Sequence, residues 1–179
     1  AAMLDNAPKS TVAFEKLIAH AQSLRAYART HGASTQYGIL IDMSISSWNF
    51  RYFLVDLNTD SVLVEGLCGH GEGADVNSED VQFSNVPNSL CTSQGRYKIG
   101  GKYYGTFGFA YRLYGLDATN SNAYDRLIVL HAHPKVGDIE NEKPCCRSWG
   151  CPMVSPDVFK ATSRILDNVQ QPVLLWIYK

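Results

Sequence analysis

Three runs of branched and aromatic residues, YGILIDM (37–43), RYFLVDL (51–57) and SVLVEGL (61–67), follow one another with only short polar breaks between them. That spacing constrains the fold more than any other feature. Branching at Cβ favours extended backbone, and breaks as short as Asn58-Thr59-Asp60 leave no room for a crossover. The pattern therefore predicts an antiparallel meander. Further strand signals lie at 95–99, 103–108, 109–116, 126–130 and 173–178, where aromatics alternate with glycines or apolar residues cluster.

Two segments carry the other period. Residues 11–29 place Phe14, Leu17, Ile18, Ala21, Leu24 and Ala28 at helical intervals, with Ser10 or Thr11 as a start and Gly32 just past the end. Ser155-Pro156-Asp157 sets a capping hydroxyl before a proline at the first helical position, which predicts a helix running to about Asn168. Residues 68–95 are polar and rich in turn formers, so they form a long functional or disordered loop. The fold class is mostly β (α+β). Residues 1–36 read as an N-terminal helical segment packed on a domain of residues 37–179.

Charge narrows the partners. Sixteen basic against seventeen acidic side chains give a formal net charge of −1, which leaves no surplus to neutralise a phosphate backbone and argues against nucleic acid. No run approaches the roughly 18 apolar residues of a transmembrane helix. Residues 1–8 lack the basic start and apolar middle of a signal peptide, and an initial Ala suits a trimmed, exported form. Of the five cysteines, Cys68, Cys91, Cys145, Cys146 and Cys151, an odd one remains unpaired in an oxidising compartment.

The odd thiol is most informative at Cys151. It follows Ser148-Trp149-Gly150 and precedes the predicted helix, in a turn where backbone N–H groups of Gly150 and Cys151 can face a developing oxyanion. His131, at the end of the apolar run RLIVL, is the matching base, because a thiol attacks carbonyls well only when an imidazole takes its proton. Each residue has a plainer reading, Cys151 as a buried structural thiol and His131 as a core histidine. His131, His133, Cys145, Cys146 and Cys151 also invite a zinc site, but they lack the paired cysteine knuckles that zinc domains use. Cys68 and Cys91 flank the long loop and are candidates to pair across it, and Cys145-Cys146 to supply one disulfide half.

The segments RLIVLH (126–131) and RSWGCPMVSP (147–156) resemble the murein L,D-transpeptidase catalytic-domain (YkuD-like) family, in which a His precedes a [Ser/Thr]-x-Gly-Cys turn. GHGEG (69–73), FSNVPNS (83–89), QGRYKIGGKYYG (94–105) and YRLYGL (111–116) are similar to its YkuD_2 subgroup. The resemblance implies a β-sandwich catalytic domain with Cys151 as nucleophile, His131 as general base and the Gly150 region as oxyanion hole. Substrate contacts are expected at Arg147, Ser148 and Trp149, and at His70, which the resemblance suggests for the donor cleft and which otherwise reads as a turn residue. Many relatives carry a second His where Trp149 stands, which suggests that Trp149 shapes the acceptor side. An Asn that usually follows the Cys is replaced by Pro152-Met153. The implied reaction is L,D-transpeptidation of peptidoglycan stem peptides, with a tetrapeptide donor and an amine acceptor. It needs no cofactor or metal, and it suits a periplasmic or secreted monomer. An L,D-carboxypeptidase using water, or a non-catalytic wall-binding module, is the alternative.

Overall fold

The computed structural model describes residues 11–179. Helix α1 (Thr11–Thr30) leads into β1 (Tyr37–Asp42), β2 (Tyr52–Asp56) and β3 (Ser61–Gly66). After a long connection come β4 (Gly95–Gly105), β5 (Gly108–Gly115), a 3₁₀ turn (Ala118–Asn120), β6 (Val129–Ala132) and β7 (Met153–Val154). Helix α2 (Pro156–Leu166) and β8 (Leu174–Tyr178) complete the chain. The Ser10 cap expected from sequence lies outside the described residues.

The predicted meander of β1, β2 and β3 is present and antiparallel. Its runs of apolar residues are continuous rather than alternating because both faces are covered. Ile39, Ile41, Tyr52 and Leu54 point into the main core, whereas Leu40, Phe53 and Val55 meet Leu17, Ala21, Leu24 and Ala28 of α1. Strand β8 lies beside β1 in parallel and splits in the same way, Leu175 and Ile177 to the main core and Leu174 and Tyr178 towards α1.

The strands form one sheet in the order β3-β2-β1-β8-β4-β5-β6-β7. The sandwich arises because this sheet curls until its ends meet. Gly69, just beyond β3, exchanges backbone hydrogen bonds with Met153 of β7 at 2.8 and 3.2 Å. Helix α2 packs across β3 and β6, and its Val158 and Phe159 close the main core. The helix starts as predicted, with the Ser155 hydroxyl accepting from the Val158 N–H at 3.1 Å and Pro156 in the first turn.

Two strand readings change. Residues 95–105 form the single strand β4, because Gly100 and Gly101 make a bulge in the pairing with β5 rather than a turn. A Cβ on Gly100 would lie 2.4 Å from the Tyr114 ring, a close approach that only glycine permits. The run at 126–130 becomes a strand only from Val129, because Leu127 adopts a φ of 58° in a turn.

Candidate active site

The long connection is ordered, and it builds the floor of the site. Residues 69–72 run beside 148–153. Ser148 N–H donates to the His70 carbonyl at 2.9 Å and Glu72 N–H to the Ser148 carbonyl at 2.8 Å. The fully buried Thr92 hydroxyl accepts from Gly71 N–H at 2.9 Å and donates to the Gly150 carbonyl at 3.0 Å. Arg126 fastens this loop. Its guanidinium donates to the carbonyls of Ser84 and Cys91 and to the hydroxyls of Ser89 and Ser93, at 2.6–3.0 Å.

The turn carrying Cys151 is closed from within. Gly150 sits at φ +123°, and a Cβ there would lie 2.6 Å from Ile128 Cδ1 and 2.8 Å from the Cys91 carbonyl. Its N–H donates to Ser148 Oγ at 3.1 Å, and that hydroxyl donates to the Cys151 carbonyl at 2.6 Å. The Gly150 N–H is therefore occupied, which corrects the expectation that it faces an oxyanion. The Cys151 N–H has no hydrogen-bond partner among the described residues.

His131 and Cys151 arrive on neighbouring strands. Strands β6 and β7 are parallel, with His131 opposite Met153. Alternation along β6 sends Leu130 into the core and Val129 and His131 to the opposite face. There Val129, His131, Cys151 and Met153 line one cavity of about 470 Å³, together with Tyr103, Phe107, Leu127, His133, Arg147, Ser148 and Trp149. The Cys151 thiol donates to the Leu127 carbonyl at 3.5 Å and accepts from Val129 N–H at 3.4 Å.

The imidazole of His131 is held in one tautomer. Its Nδ1 lies 2.9 Å from the Ala132 carbonyl, which can only accept, so Nδ1 carries the proton and Nε2 keeps its lone pair. The ring of Phe107 stacks on it at 5.0 Å between centroids and 18° between planes. Burial lowers the His131 pKa, reinforced by the neighbouring His133 and partly opposed by the Ala132 bond. Burial raises the Cys151 pKa, with the Val129 N–H and the Arg126 charge pulling the other way. At neutral pH the thiol of Cys151 and the imidazole of His131 are thus both uncharged rather than a preformed ion pair.

The other sequence candidates separate. Trp149 is 76% exposed and forms the cavity's outer wall. Arg147 borders the cavity, yet both terminal nitrogens of its guanidinium bind inside the protein, to Glu79 and to the carbonyls of Cys145 and Ser78. His70 is only 2% exposed and is absent from the cavity lining; its Nδ1 accepts from the buried Arg51 guanidinium at 2.6 Å. Its place is under the site, not in a cleft. All five cysteines are free, so neither the Cys68–Cys91 pairing nor a disulfide at Cys145-Cys146 is present. Among the described residues no group of three or more His, Cys, Asp or Glu is arranged to hold a metal ion. Phe107 escaped sequence reading because an exposed aromatic at a hairpin tip carries no signal of what it will cover.

This site can be set beside known proteins. Residues 7–178 match the model of the L,D-transpeptidase catalytic domain, YkuD_2. The chain belongs to that family. As an L,D-transpeptidase-type domain it resembles several solved structures. One is a mutant of Pgp2, the helical cell shape determining protein of Campylobacter jejuni, at 13% identity and a TM-score of 0.55, with 90% of this chain and 56% of that one covered. Another is Bdellovibrio bacteriovorus Bd1075, at 16% identity and a TM-score of 0.46, covering 83% and 49%. A third is the Ldtfm–avibactam carbamoyl enzyme, at 13% identity and a TM-score of 0.48, covering 80% and 49%. This L,D-transpeptidase-type domain spans about half the length of the structures it matches. A comparison with curated protein sequences finds no significant match.

Proposed function

We propose that the protein is a cysteine acyltransferase of the cell envelope that cross-links peptidoglycan stem peptides through a thioester on Cys151. The observation that carries this reading is the Cys151 thiol and the Nε2-basic His131 in the wall of one cavity. In the first half-reaction Sγ attacks the carbonyl carbon that joins a diaminopimelate L-centre to D-alanine. A C–S bond forms, the C–N bond breaks, and His131 takes the thiol proton and hands it to the departing D-alanine amine. In the second half an amine of a neighbouring stem attacks the thioester. The C–N bond forms, the C–S bond breaks, and the amine proton returns through His131 to sulfur. The Cys151 N–H supports the oxyanion in both halves.

One oxyanion donor is worth a factor of about 10²–10³ and a general base about 10²–10⁴ in rate. Intact-protein mass after incubation with a tetrapeptide is expected to show the tripeptidyl acyl group on Cys151. Cys151→Ala abolishes the adduct, and His131→Ala slows its formation by about 10²–10⁴. Cross-linking retained by Cys151→Ala overturns the mechanism. Product masses with and without an amine acceptor separate transpeptidation from hydrolysis by water, and the absence of a carbapenem adduct would favour a non-catalytic module.

A further inference from the structure

Across the ridge made by Leu127 and Trp149 lies a second cavity of about 390 Å³. Arg126, Leu127 and Trp149 line both cavities, so the second opens beside the nucleophile, whose thiol donates to the Leu127 carbonyl. Its wall has an unusual backbone. Of the four non-glycine residues with positive φ among the described residues, three line it: Asn88 at 63°, Leu90 at 59° and Leu127 at 58°. Leucine has no side-chain hydrogen bond to offset the steric cost of the left-handed conformation. Strain of this kind persists where surrounding contacts impose it, and it gathers at ligand sites. Arg126 fastens the loop that carries Asn88 and Leu90, at Ser84, Ser89, Cys91 and Ser93.

The chemistry of the wall is specific. Leu90, Leu127 and Trp149 offer apolar surface, and the indole face also attracts cations. Asp125 adds a carboxylate that makes no ion pair or hydrogen bond among the described residues. Its neighbour Arg126 does not neutralise it, because that guanidinium points into the loop. A short aliphatic chain that ends in a primary amine fits such a wall.

We propose that this cavity is the acceptor subsite and that Asp125 recruits the amine-bearing side chain of the acceptor stem. The proposal rests on the acyltransferase reading and adds the residue that selects the acyl group's destination. The amine enters as an ammonium ion beside Asp125 and loses one proton to bulk water. It then attacks the Cys151 thioester as a free amine, with bonds exchanged as above.

The test uses a tetrapeptide donor and a tripeptide acceptor that carries a free side-chain amine. In Asp125→Asn the acceptor KM is expected to rise about three- to tenfold, the donor KM to move less than twofold, and product to shift from dimer to hydrolysed tripeptide. Salt should raise the acceptor KM of the unaltered protein and leave that of Asp125→Asn nearly flat. Asp125→Glu should recover most of the loss. An unchanged acceptor KM in Asp125→Asn, with the Cys151 adduct still forming, overturns this inference alone. Failure of the unaltered protein to form the adduct overturns the underlying reading, and this inference with it.

Discussion

The hydroxyl of Ser148 works inside the turn it belongs to: it accepts from Gly150 and donates to Cys151, and so sets which backbone N–H remains free beside the Cys151 thiol. A motif residue of this type reads from sequence as a substrate contact, although its bonds are internal. The pair it serves has a testable charge state. Burial holds the Cys151 pKa above the ordinary thiol value of about 8.5, so the thiol stays protonated at neutral pH. Alkylation of Cys151 by iodoacetamide, followed by peptide mass, should keep accelerating as pH rises past about 9. A plateau reached below neutral pH would instead reveal a thiolate–imidazolium pair. At Gly150 both the positive φ and the two close approaches forbid a side chain. Gly150→Ala is expected to cost at least about 2 kcal/mol in chemical denaturation and to displace the Cys151 thiol.

Among the elements, the connection between β3 and β4 contributes most to the site although it holds no named strand. It is anchored by the fully buried Arg51, which donates to the Cys68 carbonyl at 2.6 and 2.9 Å, to the Ile45 carbonyl at 3.1 Å and to His70. Burial first, then the charges of Arg51 and Arg147, push the His70 pKa down to about 3 from an ordinary 6.5. The folded state thus holds His70 neutral where the unfolded chain takes up a proton. The contribution to stability is complete above pH about 6.5 and is lost as pH falls towards about 3, at roughly 1.4 kcal/mol per pH unit. His70→Asn, which keeps an acceptor for Arg51, should flatten the acid limb of the stability profile measured by urea unfolding. An unaltered slope between pH 6 and pH 4, within the window set by the depressed value, would show that His70 is not the group responsible.

On the scale of the molecule, a single sheet closes through Gly69 and Met153 without any covalent cross-link, and α1 covers its second face. Stability then rests on burial. Thiol titration in denaturant should count five free groups, and the melting temperature should not respond to reductant. A count of three, with a melting temperature lowered by reductant, would place a disulfide in the fold.

Much was legible in the residues alone. The two helices, the meander and the capped start of α2 follow from period and capping chemistry, which act over a few neighbours. The candidates His131, at the end of an apolar run, and Cys151, after a Gly turn, were legible too, and the structure brings both to the wall of one cavity. What the sequence by itself determined is therefore the elements and the two candidate reactive groups. Only the tertiary structure decided the rest. Strand β8 inserts beside β1 far along the chain, and β7 is too short to signal itself. Ser148 rather than an oxyanion takes the Gly150 N–H, His70 is sealed under the site, and Phe107 lies over His131. The physical reason is common to all of them. Burial, tautomer and hydrogen-bond competition depend on which distant segments meet, and no local period records that meeting.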